Sequence, residues 1–325
     1  FYKYSPDSRA INHSKNNFYS VFINYMLSSS SFMDLKFSYN IKKDGLYVYE
    51  NPLDSRYVAD EYTVSESSFL QGGHDKVHNN KKINDFNLKL DFNSQINSIH
   101  NLKFGIDNIY HDLTINHYTI EDANPDNPND YIPQIDVGNP SSPNAEEYNI
   151  KSYEYSAYIQ DKMEFNDMVI NFGLRYDMFD PNTFYPSNYQ DPDNAYYTSY
   201  CEPEFGEPND ACGVTIFKST PLKSEINYQI SPRFALSYQI ENALVRFSYG
   251  HFFQMPPLYA MYANSDWTIP SNDYQIILGN PNLEAEKTVN YEFGYWEEIN
   301  NYMSYEVVVF NKDIYNLLTT TTIQT

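Results

Sequence analysis

The chain has 325 residues, with 21 basic side chains against 43 acidic ones and a formal net charge of −22; Tyr, Phe and Trp make up 17% of it, and Cys occurs twice. So acidic a chain offers phosphate no basic footprint and is expected to bind no nucleic acid. Its aromatic content is foreign to acidic disorder, and two Cys are too few for a disulfide framework or a Cys-rich metal module.

Aliphatic-aromatic runs are only a few residues long, as in Val307 to Phe310, far short of the roughly 20 that a spanning helix needs. The mean hydropathy of −0.62 therefore argues against membrane helices and leaves a membrane barrel open, because only every second residue of such a strand is apolar. Phe1-Tyr2-Lys3-Tyr4-Ser5-Pro6 has no initiator Met, basic region or apolar leader core. With no structural closure at Thr319 to Thr325 either, the chain is expected to be a segment of a longer protein.

In chain order, apolar residues recur with a period of two rather than 3.6. Strands are expected at 17–27; at 32–41, where Met33, Leu35, Phe37 and Tyr39 alternate with Asp34, Lys36 and Ser38; and at 84–95, where Phe86, Leu88, Leu90 and Phe92 do the same. Further strands are expected at 99–113, 151–165 and 168–178, the last setting Ile170, Phe172, Leu174 and Tyr176 against Asn171, Gly173 and Arg175. The series ends with 226–240, 243–253, 287–298 and 302–314, making ten. The connections alternate without exception. Short ones lie at Ser28–Ser31, Ile96–Ser98, Asn166-Asp167, Glu241-Asn242 and Ile299–Asn301, and long ones at 42–83, 114–150, 179–225 and 254–286. A soluble Greek-key sandwich has no reason to sort loop lengths in this way, whereas an up-and-down outer-membrane barrel puts short turns inside and long loops outside.

Residues 121–149 hold seven acids and 177–217 eight, both without Lys or Arg, so these two stretches supply 15 of the 22 excess negative charges. They also hold 10 of the 18 prolines, which marks them as loops. Tyr153, Tyr155, Tyr249, Tyr291 and Tyr295 lie on the apolar face, as the aromatic girdles of such barrels do.

The C-terminal half carries Ser231-Pro-Arg-Phe-Ala-Leu-Ser-Tyr238, then Val245-Arg-Phe-Ser-Tyr-Gly-His-Phe-Phe-Gln-Met-Pro-Pro257. Next comes Leu278-Gly-Asn-Pro-Asn-Leu-Glu-Ala-Glu-Lys-Thr-Val-Asn-Tyr-Glu-Phe-Gly294, and Val309-Phe-Asn-Lys-Asp-Ile-Tyr-Asn-Leu317 follows. These motifs, with Tyr158-Ile-Gln-Asp-Lys162 and Asn171-Phe-Gly-Leu-Arg-Tyr-Asp177 before them, resemble in order the barrel strands of TonB-dependent outer-membrane receptors. The resemblance covers about 150–318 by motif and 1–149 by pattern, and Phe179-Asp-Pro-Asn-Thr183 is similar to receptors with a carboxypeptidase-regulatory-like N-terminal domain. It implies an all-β, antiparallel up-and-down transmembrane barrel, incomplete here at about ten strands of the family's 22, with long acidic extracellular loops. It further implies an outer-membrane location, lipid as a partner, and energised uptake of a scarce ligand such as a siderophore, oligosaccharide or peptide. The plug domain, the segment that engages the TonB complex and the C-terminal strands are expected in the rest of the parent protein. A plug-less porin or adhesin barrel, and a secreted soluble β-rich carbohydrate-binding domain, are the alternatives.

No catalytic motif is present, so neither an enzyme nor a cofactor is expected. His74, Asp75 and His78 lie in a polar loop and are expected to be solvated. His111 and His117, six residues apart on one strand, would sit about 20 Å from each other, too far to share an ion. The run Asp122 to Asp130 lacks the Gly and terminal Glu of a calcium loop, so no metal site is expected. Cys201 and Cys212 share one outward loop in an oxidising compartment and are expected to form a disulfide, contributing on the order of 2–3 kcal/mol. Inward polar positions are Asn171, Arg175, Arg233, Arg246, Ser248 and Glu292. For substrate binding, Arg175 and Arg246 on the wall and Tyr259, Tyr262 and Trp267 in an outer loop are the candidates.

Overall fold

The computed structural model describes residues 6–59, 61–62, 70–127, 130–135, 146–194, 218–265, 267 and 277–323. Ten long strands form one antiparallel sheet in chain order: β1 (Ile11–Ser28), β2 (Ser31–Tyr47), β5 (Val77–Gln95), β6 (His100–Asp122), β8 (Glu146–Glu164), β9 (Met168–Asp180), β12 (Asn227–Ile240), β13 (Ala243–Gln254), β14 (Glu286–Asn300) and β15 (Met303–Tyr315). Short strands decorate the loops: β3 (Glu61–Tyr62) pairs β4 (Leu70–Gly72), β10 (Phe184–Pro186) pairs β11 (Pro221–Lys223), and β7 (Pro133–Ile135) pairs β6. Among the described residues β1 and β15 are the two edges of the sheet, which is open.

Directly paired residues share a face, so the period of two becomes rows that cross the sheet. Ile23, Leu35, Leu90, Ile106, Ala157, Tyr176 and Ile230 form one apolar row across seven strands. Nearer the short turns, Ile170, Leu236, Phe247, Phe293 and Val309 form another across five. Among the described residues no element packs over these side chains, and on the same face Phe172 is 55% exposed and Ile159 53%. A soluble sandwich would cover such a face with a second sheet, and none lies there among the described residues.

Toward the long loops the apolar face ends in a row of rings. Tyr19, Tyr39, Phe86, Tyr110 and Tyr153 pair across five strands, with neighbouring centroids 6.4, 4.2, 6.0 and 5.3 Å apart. From Tyr110 down to Leu102 is eight residues of β6, about 27 Å along the strand and about 20 Å along the normal of a tilted barrel. That matches a lipid belt. Among the described residues no helix is long and apolar enough to cross a membrane; the strands make the crossing.

The strands outrun the sequence-based bounds on the loop side. β2 continues to Tyr47, β5 begins at Val77, β6 runs to Asp122 and β8 begins at Glu146. Glu121, Asp122, Glu147 and Asp180, expected in loops, thus lie on strands. Backbone pairing extends well past the lipid belt because a ladder satisfies N–H and C=O groups in water as in lipid.

Candidate functional site

The inner face of the sheet is mainly polar through the belt, although Phe22, Ile109 and Phe310 also lie on it. One row runs Asn24, Asp34, Asp91, Gly105, Tyr158, Arg175 and Ser231. The Asn24 amide donates to Asp34 at 2.5 Å, and the Tyr158 hydroxyl donates to Asp91 at 2.7 Å. Gly105 makes the second bond possible: a Cβ there would stand 2.5 Å from both Asp91 Oδ1 and Tyr158 Cε1. The ring therefore crosses a whole strand over the bare glycine. Gly294 does the same for Arg246, whose guanidinium reaches over β14 to Glu306 on β15. Arg175 binds the neighbouring Asp177 through Nε at 2.8 and 3.0 Å.

Above that row the wall gathers charge. His111 faces Asp85 through Nδ1 at 2.7 Å and Glu154 through Nε2 at 3.2 Å; a ring protonated on both nitrogens donates to both carboxylates. Lys36, Asp85, Asn87, Lys89, Asp107 and His111 line an open groove of about 560 Å³ on β1, β2, β5 and β6. Both His111 nitrogens are engaged, and the described residues contain no group of three or more His, Cys, Asp or Glu arranged to hold a metal.

Higher still, the inner face turns apolar. Below Tyr110, β6 is apolar outside at Leu102, Phe104 and Ile106; above it, Leu113 and Ile115 are apolar inside. Ile83 on β5 and Ile150 and Tyr148 on β8 share that inner patch. The connection after β13 folds back onto it. Pro256-Pro257 starts a single helical turn, α1 (Leu258–Tyr262), whose Met261 and Tyr262, each 1% exposed, pack with Leu113, Ile150 and Phe179. The Tyr262 hydroxyl donates to the Pro181 carbonyl at 3.1 Å. Burial, with Asp180 and Glu154 nearby, raises its phenol pKa well above the ordinary value.

The Leu278-Gly-Asn-Pro segment holds this cap in place. Gly279 N–H donates to Ala263 O at 2.7 Å and Asn280 N–H to Ala260 O at 3.0 Å. A Cβ on Gly279 would lie 2.6–2.7 Å from the backbone of Met261 and Ala263, so only glycine permits the approach. Asn282 Oδ1 accepts the Glu225 N–H at 2.9 Å, tying in the neighbouring loop.

The five candidate substrate residues are not brought together. Arg175 lies mid-wall and paired to Asp177; Arg246 lies near the short turns and paired to Glu306. Their β12 partners Ser231 and Ser237 are six residues apart, about 20 Å. Tyr259 is 60% exposed on the cap, Tyr262 is buried beneath it, and Trp267 follows at φ 62°. Tyr262 as it stands presents no surface to a ligand. Asn171, Arg233, Ser248 and Glu292 share the inner face with the two arginines. Cys201 and Cys212 lie outside the described residues.

His74 hydrogen-bonds Tyr49 at 3.0 Å, and His78 is buried with Nε2 3.1 Å from the Glu50 carbonyl. Half-buried His74 packs against Tyr49 and Tyr57, and buried His78, on β5, stacks between Tyr47 and Tyr118, which corrects the expectation of a solvated loop. In the run after Asp122, the Asp122 carboxylate accepts the N–H groups of Asn124 and Ile132 at 2.9 and 3.0 Å and so shapes the loop. Sequence reasoning missed Leu113, Ile150, Phe179 and Met261 as the cap's seat, and the Asp85–His111–Glu154 cluster. The change of apolar parity along β6 was the available signal.

Comparison with known proteins agrees with this architecture. The profile of the family described as "TonB dependent receptor-like, beta-barrel" matches residues 2–325. Comparison with curated protein sequences gives no match. Among solved structures, the outer membrane transporter YddB from Escherichia coli is 13% identical at a TM-score of 0.57, with 91% of this chain and 33% of that chain covered. The copper transporter OprC is 11% identical at 0.55, with 95% and 40% covered. The FrpB iron transporter from Neisseria meningitidis in its apoprotein form is 14% identical at 0.50, with 93% and 38% covered. At such identity the likeness concerns the fold, and the chain spans about a third to two fifths of those proteins' length. An open sheet with a lipid belt, a polar inner wall and a family profile matched over nearly its whole length gives one result: the chain belongs to the β-barrel of the TonB-dependent receptors of the outer membrane.

Proposed function

We propose that this chain forms part of the wall and vestibule of a receptor for energised, TonB-coupled uptake of a scarce extracellular ligand such as a siderophore, oligosaccharide or peptide. The observation that carries the reading is the family match over residues 2–325, joined to an inner wall that is mainly polar in the belt. In this reading the inner wall faces a plug supplied by the rest of the parent protein, which engages the TonB complex. Arg175 and Arg246 serve wall contacts with plug or ligand, and Tyr259 and Trp267 offer rings to a ligand entering from outside. Tyr262 then contributes by seating the cap that carries Tyr259.

The test uses cells expressing the full-length parent protein as their sole receptor, supplied with a panel of ferric siderophores, oligosaccharides and peptides. Uptake of one class is expected, and a protonophore is expected to abolish it while leaving binding intact. Uptake that persists in the protonophore would refute energised transport and favour a passive pore.

A further inference from the structure

The outward face changes character four residues above the ring row. Lys15 on β1, Lys43 on β2 and Lys82 on β5 stand directly opposite one another in register, and all three are exposed. Tyr19, Tyr39 and Phe86 lie below them on the same strands and the same face. Lys151 on β8 stands one row lower, opposite Asp112. At direct pairing the Cβ atoms of neighbouring lysines lie about 5 Å apart, where like charges destabilise the sheet.

Some lysines of the inner face are paired, although Lys36 and Lys103 there have no ion pair among the described residues. Lys42 meets Asp44 at 3.1 Å and Lys89 meets Asp91 at 3.4 Å. Lys15, Lys43 and Lys82 have no carboxylate within ion-pairing distance among the described residues, in a chain with 43 acids to set against them. An uncompensated cationic row on a strongly acidic protein calls for an external anion. Its height says which. Four residues are about 13 Å along the strand, or about 10 Å along the membrane normal. That places the ammonium groups at the headgroup layer, just beyond the hydrocarbon, with the rings beneath them at its boundary.

We propose that Lys15, Lys43 and Lys82 form a docking site for the phosphate groups of outer-leaflet lipid headgroups, with the acyl chains lying over Tyr19, Tyr39 and Phe86. The three ammonium groups fix phosphates beside one flank of the barrel, and the lipid removes the repulsion that the row imposes on the bare sheet.

The test titrates three probes into the full-length receptor in detergent micelles: a bisphosphorylated glycolipid, the same glycolipid after enzymatic dephosphorylation, and a soluble acidic polysaccharide. Bound probe is counted by native mass spectrometry. Replacing all three lysines by Gln is expected to weaken binding of the phosphorylated lipid on the order of 100-fold, each single replacement about fivefold, and the triple Arg variant is expected to retain it. The dephosphorylated lipid should bind weakly to every variant. Should the triple Gln variant fail to fold, as judged by heat-modifiable gel migration, the single variants are read in its place. Unchanged affinity in the Gln variants would overturn the proposal. So would equal losses with the dephosphorylated lipid, or a loss confined to the polysaccharide, which would point to a different partner.

Discussion

Replacing Gly279 by Ala probes the cap directly. The added methyl would lie 2.6–2.7 Å from the backbone N of Ala263 and the C and O of Met261. These atoms have no rotamer to escape into, so the segment must separate from α1. Separation forfeits the Gly279–Ala263 and Asn280–Ala260 hydrogen bonds, each about 0.5–1.5 kcal/mol net. Residual overpacking adds about 1–3 kcal/mol. The sum, about 2–6 kcal/mol, acts on local opening of the cap rather than on the barrel. Hydrogen exchange in the full-length receptor should therefore show the amides of Gly279 and Asn280 exchanging at least about 30-fold faster, with the amides of β6 and β8 unchanged. Gly250→Ala is the control, because its Cβ would come no nearer than 3.4 Å, to Phe252. An increase below about fivefold for Gly279→Ala, or an equal one for Gly250→Ala, would refute the reasoning.

Met261→Ala, which empties a fully buried position, should loosen the same segment by about 2–5 kcal/mol and expose 255–265 to limited proteolysis. Gly105→Ala should destabilise the parent barrel by about 1–3 kcal/mol, read as a shifted guanidinium midpoint at constant slope. In a Tyr158→Ala background it should cost less, since the ring that collides with the new methyl is gone; strict additivity would argue against the coupling. Glu306→Gln should change stability by less than about 1 kcal/mol, because both it and Arg246 are nearly half exposed. Hydrogen bonds from Arg56 hold Asp54 at about 2, below the ordinary value of about 3.9. Its contribution to loop order is therefore complete above about pH 4 and is lost as pH falls through about 2, which carboxyl-carbon NMR of the full-length receptor can follow.

How far the sequence reaches is clearest along β6. Leu102, Phe104 and Ile106 announce a strand with one apolar face, and lipid as the neighbour of that face follows from the alternation of long and short connections. At Leu113 and Ile115 the alternation persists but its parity reverses, and a strand bound ending at 113 hides the reversal. The acids of 121–149 look like loop residues because Pro-rich charge usually is; Asp122 and Glu147 nevertheless lie on strands, since a neighbouring strand supplied the hydrogen bonds. The disulfide expected at Cys201 and Cys212 lies outside the described residues.

Period, strand order and family were all legible in the linear chain, because pleat and loop length are properties of residues near one another in it. Which residues meet across strands emerged only in three dimensions. Tyr158 over Gly105, Gly279 against Met261, and the uncompensated row of Lys15, Lys43 and Lys82 bring together residues far apart in the chain. Strand register is set by the summed fit of two whole faces and has no local signature. The net charge of −22 therefore says little about any one surface: on the flank that meets the headgroups, this acidic chain is basic.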